Sequence, residues 1–238
     1  MRLGKPQHSR AILAAVASIS AALLFTPASA IASPQVRSAP ASSSAEATAT
    51  TYDWKNATVA PTKAQLQQGI DDVLARTPGA RQLNATSVEM APGLVMNFRN
   101  PVPDGARQAD SPITTQATCN ITTVCVYTNR QYGGDELVFS VCGREWNLGN
   151  VAYPGGGYWN DRISSITNQQ TGSGATSYFY DYRGSNVWNR IVTVAIGNYR
   201  SNLALDTRED GLSGSPNDKI DGVHVCGAVP SPWRPNWP

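Results

Sequence analysis

Histidine is nearly missing from this chain: among 238 residues, only His8 and His224 carry an imidazole. A Ser-His-Asp triad or a histidine-based zinc site would have to be built on His224 alone once a leader holding His8 is set aside. Charge is also scarce, with Asp, Glu, Lys and Arg making up 15% of the residues and a formal net charge of +2. Residues 1–30 contain Arg2, Lys5 and Arg10 and no acid, so removing them takes the formal charge from +2 to −1. Such a chain has no electrostatic basis for holding nucleic acid or an anionic membrane. Beyond Phe25 no run is long and apolar enough to cross a bilayer. Two adjacent acid pairs, Asp135–Glu136 and Glu209–Asp210, are weak candidates for acid–base chemistry. Neighbours on a strand face opposite ways, and neighbours on a loop meet water. These absences point away from an enzyme.

The one long apolar run lies at the start. Basic residues precede a stretch from Ala11 to Phe25, and Ala28-Ser29-Ala30 follows at the spacing of a signal-peptidase site. A second cut after Ala32 remains open. The expectation is a signal peptide over 1–30 and a secreted, extracellular protein. Four cysteines, Cys119, Cys125, Cys142 and Cys226, are an even set in an exported chain, which favours two disulfides. Their spacing does not suit a CxxC zinc site. Of three connectivities, Cys119–Cys125 with Cys142–Cys226 is favoured, the first pinning an entry turn and the second tying an early strand to the last. Asn56, Asn84 and Asn120 head Asn-x-Thr sequons, which matter only in a glycosylating pathway.

Along the chain, residues 31–60 open with Ala, Ser, Thr and Pro, a composition that cannot offset its ordering entropy and so reads as a disordered linker. Residues 61–100 read as a small helix–hairpin segment. Thr62 and Gln65 form a capping box, Leu66, Ile70, Val73 and Leu74 mark one face, and Pro78-Gly79 stops the helix. SVEM and LVMNF then alternate around Ala91-Pro92-Gly93 as a hairpin. Residues 101–118 read as a second linker. Residues 119–227 hold VCVYT, ELVFSV, SYFYDY and RIVTVAI between Gly, Asn and Asp turns, the pattern of an antiparallel all-β sandwich of Greek keys. A Pro- and Trp-rich tail fills 228–238.

Two short segments repeat within that last domain. Residues 160–166, NDRISSI, and 217–223, NDKIDGV, share Asn, Asp and Ile with a basic residue at the third place. Upstream of the first, Tyr127, Tyr132 and Gly134 set two aromatics and a glycine, as a hairpin folded back on its own sheet requires. Upstream of the second, YDYRGSNVW has Ser185 for the second aromatic and Val187 for the glycine. Together these motifs resemble the paired signature of the βγ-crystallin fold, two Greek keys to a domain. The wider layout of leader, helix–hairpin segment and cysteine-bounded domain resembles secreted actinobacterial proteins of the metalloproteinase-inhibitor family with that fold.

The resemblance implies calcium as cofactor. Calcium takes six to eight oxygens, and the family's paired loops would offer Asp161, the Arg162 carbonyl and Ser164, then Asp218, the Lys219 carbonyl and Asp221 in place of a serine. The same side chains serve equally well to bond the loop backbone. The first loop is complete by pattern and the second altered. The resemblance also implies a function: inhibition of an extracellular metallopeptidase by a rigid loop on a monomeric scaffold. The Gly-rich stretch Tyr153–Tyr158 is one candidate loop, and a plain connection between strands is its simpler reading. The alternative is a non-inhibitory calcium-binding module that binds cell-wall glycan or acts as an antimicrobial protein.

Overall fold

Thr62 accepts from the Gln65 amide while the Gln65 side chain accepts from the Thr62 amide, so both ends of the capping box close. Helix α1, Lys63–Arg76, follows from this cap and buries Leu66, Gly69, Ile70 and Val73. The computed structural model describes residues 51–114 and 119–228. The expected signal peptide, most of the first linker and the Pro- and Trp-rich end from residue 229 lie outside the described residues.

Three strands follow the helix: β1 (Arg81–Asn84), β2 (Ser87–Ala91) and β3 (Leu94–Asn97). The hairpin expected at Pro92-Gly93 joins β2 to β3, with Gly93 at φ 86°. β1 was not among the expected strands; its four residues are all exposed at the sheet edge. Eight more strands form two Greek keys. The first comprises β4 (Val124–Tyr127), β5 (Glu136–Phe139), β6 (Arg144–Asn147) and β7 (Ser165–Asn168). The second comprises β8 (Ser177–Tyr182), β9 (Trp188–Val194), β10 (Tyr199–Arg200) and β11 (Gly222–Val225).

The keys exchange their third strands. β10 pairs with β7 of the first key, and β6 pairs with β11 of the second. The sheets therefore run β1-β2-β3-β5-β4-β7-β10 and β6-β11-β8-β9, all antiparallel. This is the all-β, two-Greek-key sandwich expected from the sequence. Exchange means that neither key is complete alone, which couples the two halves into one cooperative core. Trp146, Phe139, Ile166, Phe179, Ile191 and Val223 meet in that core, each fully or nearly fully buried.

The helix–hairpin segment is continuous with the sandwich, because β3 pairs with β5 from Leu94↔Phe139 to Asn97↔Glu136. The stretch expected as a second linker carries ordered contacts where it is described: Asn100 N–H donates to the Thr114 carbonyl, and Val59 bridges Pro112. A buried ion pair reinforces the join. Arg99, next after the hairpin's Phe98, meets Asp135 at 2.6 Å with both side chains almost fully buried. The same guanidinium donates to the Trp54 carbonyl at 2.9 Å and to the Tyr153 hydroxyl at 3.0 Å. A buried charge is tolerated only when paired and fully bonded, and Arg99 meets that condition through three separate segments. The disulfides are Cys119–Cys125 and Cys142–Cys226. No described helix is long and apolar enough to cross a membrane.

Candidate functional site: the paired Asn-Asp loops

Each Asn-Asp segment leads into the last strand of its key, NDRISSI into β7 and NDKIDGV into β11. Asp161 and Asp218 sit at φ 56° and 52°, the left-handed region that Asp tolerates because its short side chain bonds locally. The two loops then hold one another. The Asp161 amide donates to the Ile220 carbonyl and the Asp218 amide to the Ile163 carbonyl, both at 3.1 Å. Within each key, the Ser164 amide donates to the Tyr127 carbonyl at 2.9 Å and the Asp221 amide to the Tyr180 carbonyl at 2.8 Å. The matched bonds relate the loops by an approximate two-fold axis. The repeat in sequence is therefore a repeat in space.

Five of the six predicted metal-binding positions line one cavity. Asp161, Arg162, Ser164, Asp218 and Lys219 face a space of about 530 Å3, joined by Thr128 and Asn129 of the first hairpin. Lys55, Asn56 and Ala57 from the N-terminal segment line it as well. The Ser164 hydroxyl lies 3.4 Å from Asp218 Oδ1, linking the two loops through side chains. Asp221 is placed differently. It does not line the cavity, its Oδ2 accepts the Tyr182 amide at 2.7 Å, and Asn160 bonds its carboxyl as well.

The carboxylates are electrostatically uncomfortable. Desolvation by the surrounding loop raises the Asp161 and Asp218 carboxyls from their ordinary value, although both residues keep solvent access. Lys219 near Asp161, and the Ser164 hydroxyl at Asp218, offset this only in part. Burial pushes Asp221 up to about 6, with the charges of Asp161 and Asp181 adding to the shift. A bound cation would relieve this cost by favouring the charged forms. The donor set is hard oxygen throughout: two carboxylates, one hydroxyl and loop carbonyls, which suits calcium rather than a softer metal. Among the described residues no three His, Cys, Asp or Glu side chains cluster for a metal. Calcium held here would therefore lean on the hydroxyl and main-chain oxygens.

The folded hairpins explain the aromatic–glycine spacing. The Tyr127 and Tyr132 rings meet edge to face at 5.5 Å, with Gln131 and Tyr132 at φ 55° and 60°. Ser165 completes the first hairpin by accepting the Tyr132 amide and donating to the Asn129 carbonyl. In the second key the Ser165 place is Gly222, which has no hydroxyl, and Asp221 supplies the tie instead through the Tyr182 amide. Ser185 and Asn186 adopt φ 50° and 60°, and Tyr182 packs on Trp188 at 4.8 Å. The altered second motif thus keeps the hairpin shape with different residues.

Other predicted positions are structural. His224 is buried on β11, 1% exposed, opposite Glu145 and Tyr178. Asp135 pairs with Arg99, while Glu136 turns to Asn97, whose amide donates to it at 2.6 Å. Glu209 bonds Thr193 and Asp210 bonds Arg208. Neither acid pair presents two carboxylates to one point.

The Gly-rich loop has an exposed tip. Tyr153 and Pro154 are buried, Gly155 to Tyr158 are exposed, and the tip is braced from outside the sandwich. Arg76 donates to the carbonyls of Tyr153 and Gly157, and the Gly155 amide donates to Asp72 at 3.0 Å. Sequence reasoning assigned Arg76 and Asp72 no role, and an i, i+4 acid–base pair at the helix end was the one available signal.

No protein-family model matches this chain, and no curated protein matches it. Among solved structures, the chain is similar to one concerned with the evolution of the eye-lens βγ-crystallin domain fold. The identity is 19% and the TM-score 0.32, over 46% of this chain and 90% of that one.

Proposed function

We propose that this chain is an exported, non-catalytic module whose paired Asn-Asp loops hold calcium. The observation that carries the reading is the reciprocal bonding of the loops, with the carboxyls of Asp161 and Asp218 raised beside Ser164 on one cavity. Asp161, Asp218 and Ser164 would supply side-chain oxygens, and Arg162 and Lys219 main-chain oxygens. Calcium would cancel the repulsion and desolvation within the loop pair and tie the keys together. Asp221, engaged by Tyr182, acts as a hairpin tie in this reading. Calcium titration is expected to raise the melting temperature saturably, and terbium to give sensitised luminescence. Asp218→Asn and Asp161→Asn should each weaken binding about tenfold or more, as loss of a charged ligand does. An unchanged melting temperature and no terbium signal in the parent protein would leave the loops purely structural.

A second reading has its own observation. The exposed tip Gly155–Tyr158 is held by Arg76 and Asp72, so it would lose little entropy on docking. Such a loop suits inhibition of an extracellular metallopeptidase. Titrating the protein against a thermolysin-type peptidase tests this. Inhibition abolished by Tyr158→Ala but retained in Asp218→Asn would place the activity on this loop, while full peptidase activity at micromolar excess would eliminate the reading.

A further inference from the structure

The N-terminal segment turns the loop pair from an open surface into a walled cavity. The wall is rigid for identifiable reasons. The Trp54 ring is buried, and its carbonyl accepts from Arg99 and from the Tyr153 hydroxyl. Asp53 then fixes the next turn, accepting the Lys55 and Asn56 amides at 3.1 and 3.0 Å, while its carbonyl accepts the Ala57 amide at 2.9 Å. Lys55 thereby lines the same cavity as Arg162 and Lys219, which come from the two Asn-Asp loops. Among the described residues, none of these three cations has a carboxylate within ion-pair distance. Arg162 is positioned as well, with its guanidinium 4.1 Å over the Tyr153 ring and Nε donating to the Tyr158 carbonyl at 2.6 Å. The remaining cavity cation, Arg99, is consumed by Asp135.

We infer that this cavity binds an oxyanion group, a carboxylate or phosphate carried by a small molecule. The anion sits among Lys55, Lys219 and Arg162, with the Asn129 side-chain amide and the Thr128 hydroxyl as neutral donors. Without metal, and with the Arg99–Asp135 pair set aside, the lining sets Lys55, Arg162 and Lys219 against Asp161 and Asp218, a balance of +1. One calcium ion makes that balance +3, so metal and anion bind with positive coupling, each raising the other's affinity by the same factor. The metal dependence rests on the calcium reading above; the three cations of the lining do not.

The test is a titration of the whole secreted chain with methyl phosphate and, separately, acetate, followed by backbone amide NMR shifts with and without calcium. Acetamide serves as the uncharged control, and terbium luminescence reports the metal independently. Saturable shifts are expected in residues 55–57, 160–164 and 217–221. Lys55→Gln and Lys219→Gln should each weaken anion binding about two- to fivefold, as loss of one exposed charge contact does. Lys63→Gln removes a charge paired with Asp104 and should leave binding unchanged. The tighter of the two anions identifies the group the natural ligand carries. No saturable shift with either anion in terbium-competent protein overturns the inference, as do equal losses in all three lysine variants or equal binding of acetamide. Anion binding in protein that fails to take up terbium supports the cavity and instead removes the calcium reading.

Discussion

His224 illustrates what a single residue decides here. It is 1% exposed, and burial lowers its pKa below the usual value of 6.5. The folded chain therefore holds it neutral. As pH falls below about 6.5 the unfolded chain takes up a proton that the folded chain refuses, so stability is lost toward acid. Glu145 across the ladder and Asp221 on the approach to β11 are shifted the other way, upward by desolvation. Their contribution is present below the ordinary carboxylate pKa and is lost as pH rises through their folded values, about 6 for Asp221. Denaturant melts at pH 7 and pH 5 should show that His224→Leu has lost the acid-linked destabilisation, a difference of up to about 2 kcal/mol. Parallel pH dependence in the parent and the variant would contradict the assignment.

At the scale of elements, the folded hairpin governs the site. Gly134 sits at φ 82°, and a Cβ there would lie 2.1 Å from Thr128 Oγ1. Thr128 cannot simply move, because its hydroxyl accepts the Asp135 amide at 2.9 Å. Gly134→Ala therefore carries both the left-handed penalty and a collision, and should cost about 2–4 kcal/mol. Gly184 in the second hairpin has φ 84° but open space around a Cβ, so Gly184→Ala should cost only about 1–2 kcal/mol. Equal losses in urea melts would deny that the first hairpin is the tighter. This spacing was legible in sequence because Tyr127, Tyr132 and Gly134 act within a few residues. The replacement of the Ser165 tie by Asp221 was not legible, since its partner Tyr182 lies 39 residues away.

For the whole molecule, two long-range devices hold the sandwich. Cys142–Cys226 closes a separation of 84 residues and Cys119–Cys125 one of 6. Loop-closure entropy then makes removal of the first cost about 2 kcal/mol more than removal of the second, comparing the paired Cys→Ser variants in denaturant melts. The second device is Arg99–Asp135. Asp135→Ala would leave a buried guanidinium without its counter-charge and should cost about 3–5 kcal/mol. It should loosen residues 52–57 and β5 together in hydrogen exchange. Loosening of one without the other would mean that the N-terminal segment and the sandwich are not joined through this pair.

Sequence alone carries the helix with its cap, the short antiparallel strands of a Greek-key sandwich and the repeat of NDRISSI as NDKIDGV. Each of these follows from period, turn chemistry or a repeated local pattern, interactions that act over a few residues. Tertiary structure sets how the helix–hairpin segment extends the first sheet through β3 and β5, and how Lys55, Asn56 and Ala57 wall the loop pair. It also decided that Asp221 faces a backbone amide while Asp161 and Asp218 share a cavity. Those outcomes turn on which surfaces meet once the keys exchange strands. Burial, charge pairing and left-over hydrogen-bonding capacity settle them between residues far apart in the chain.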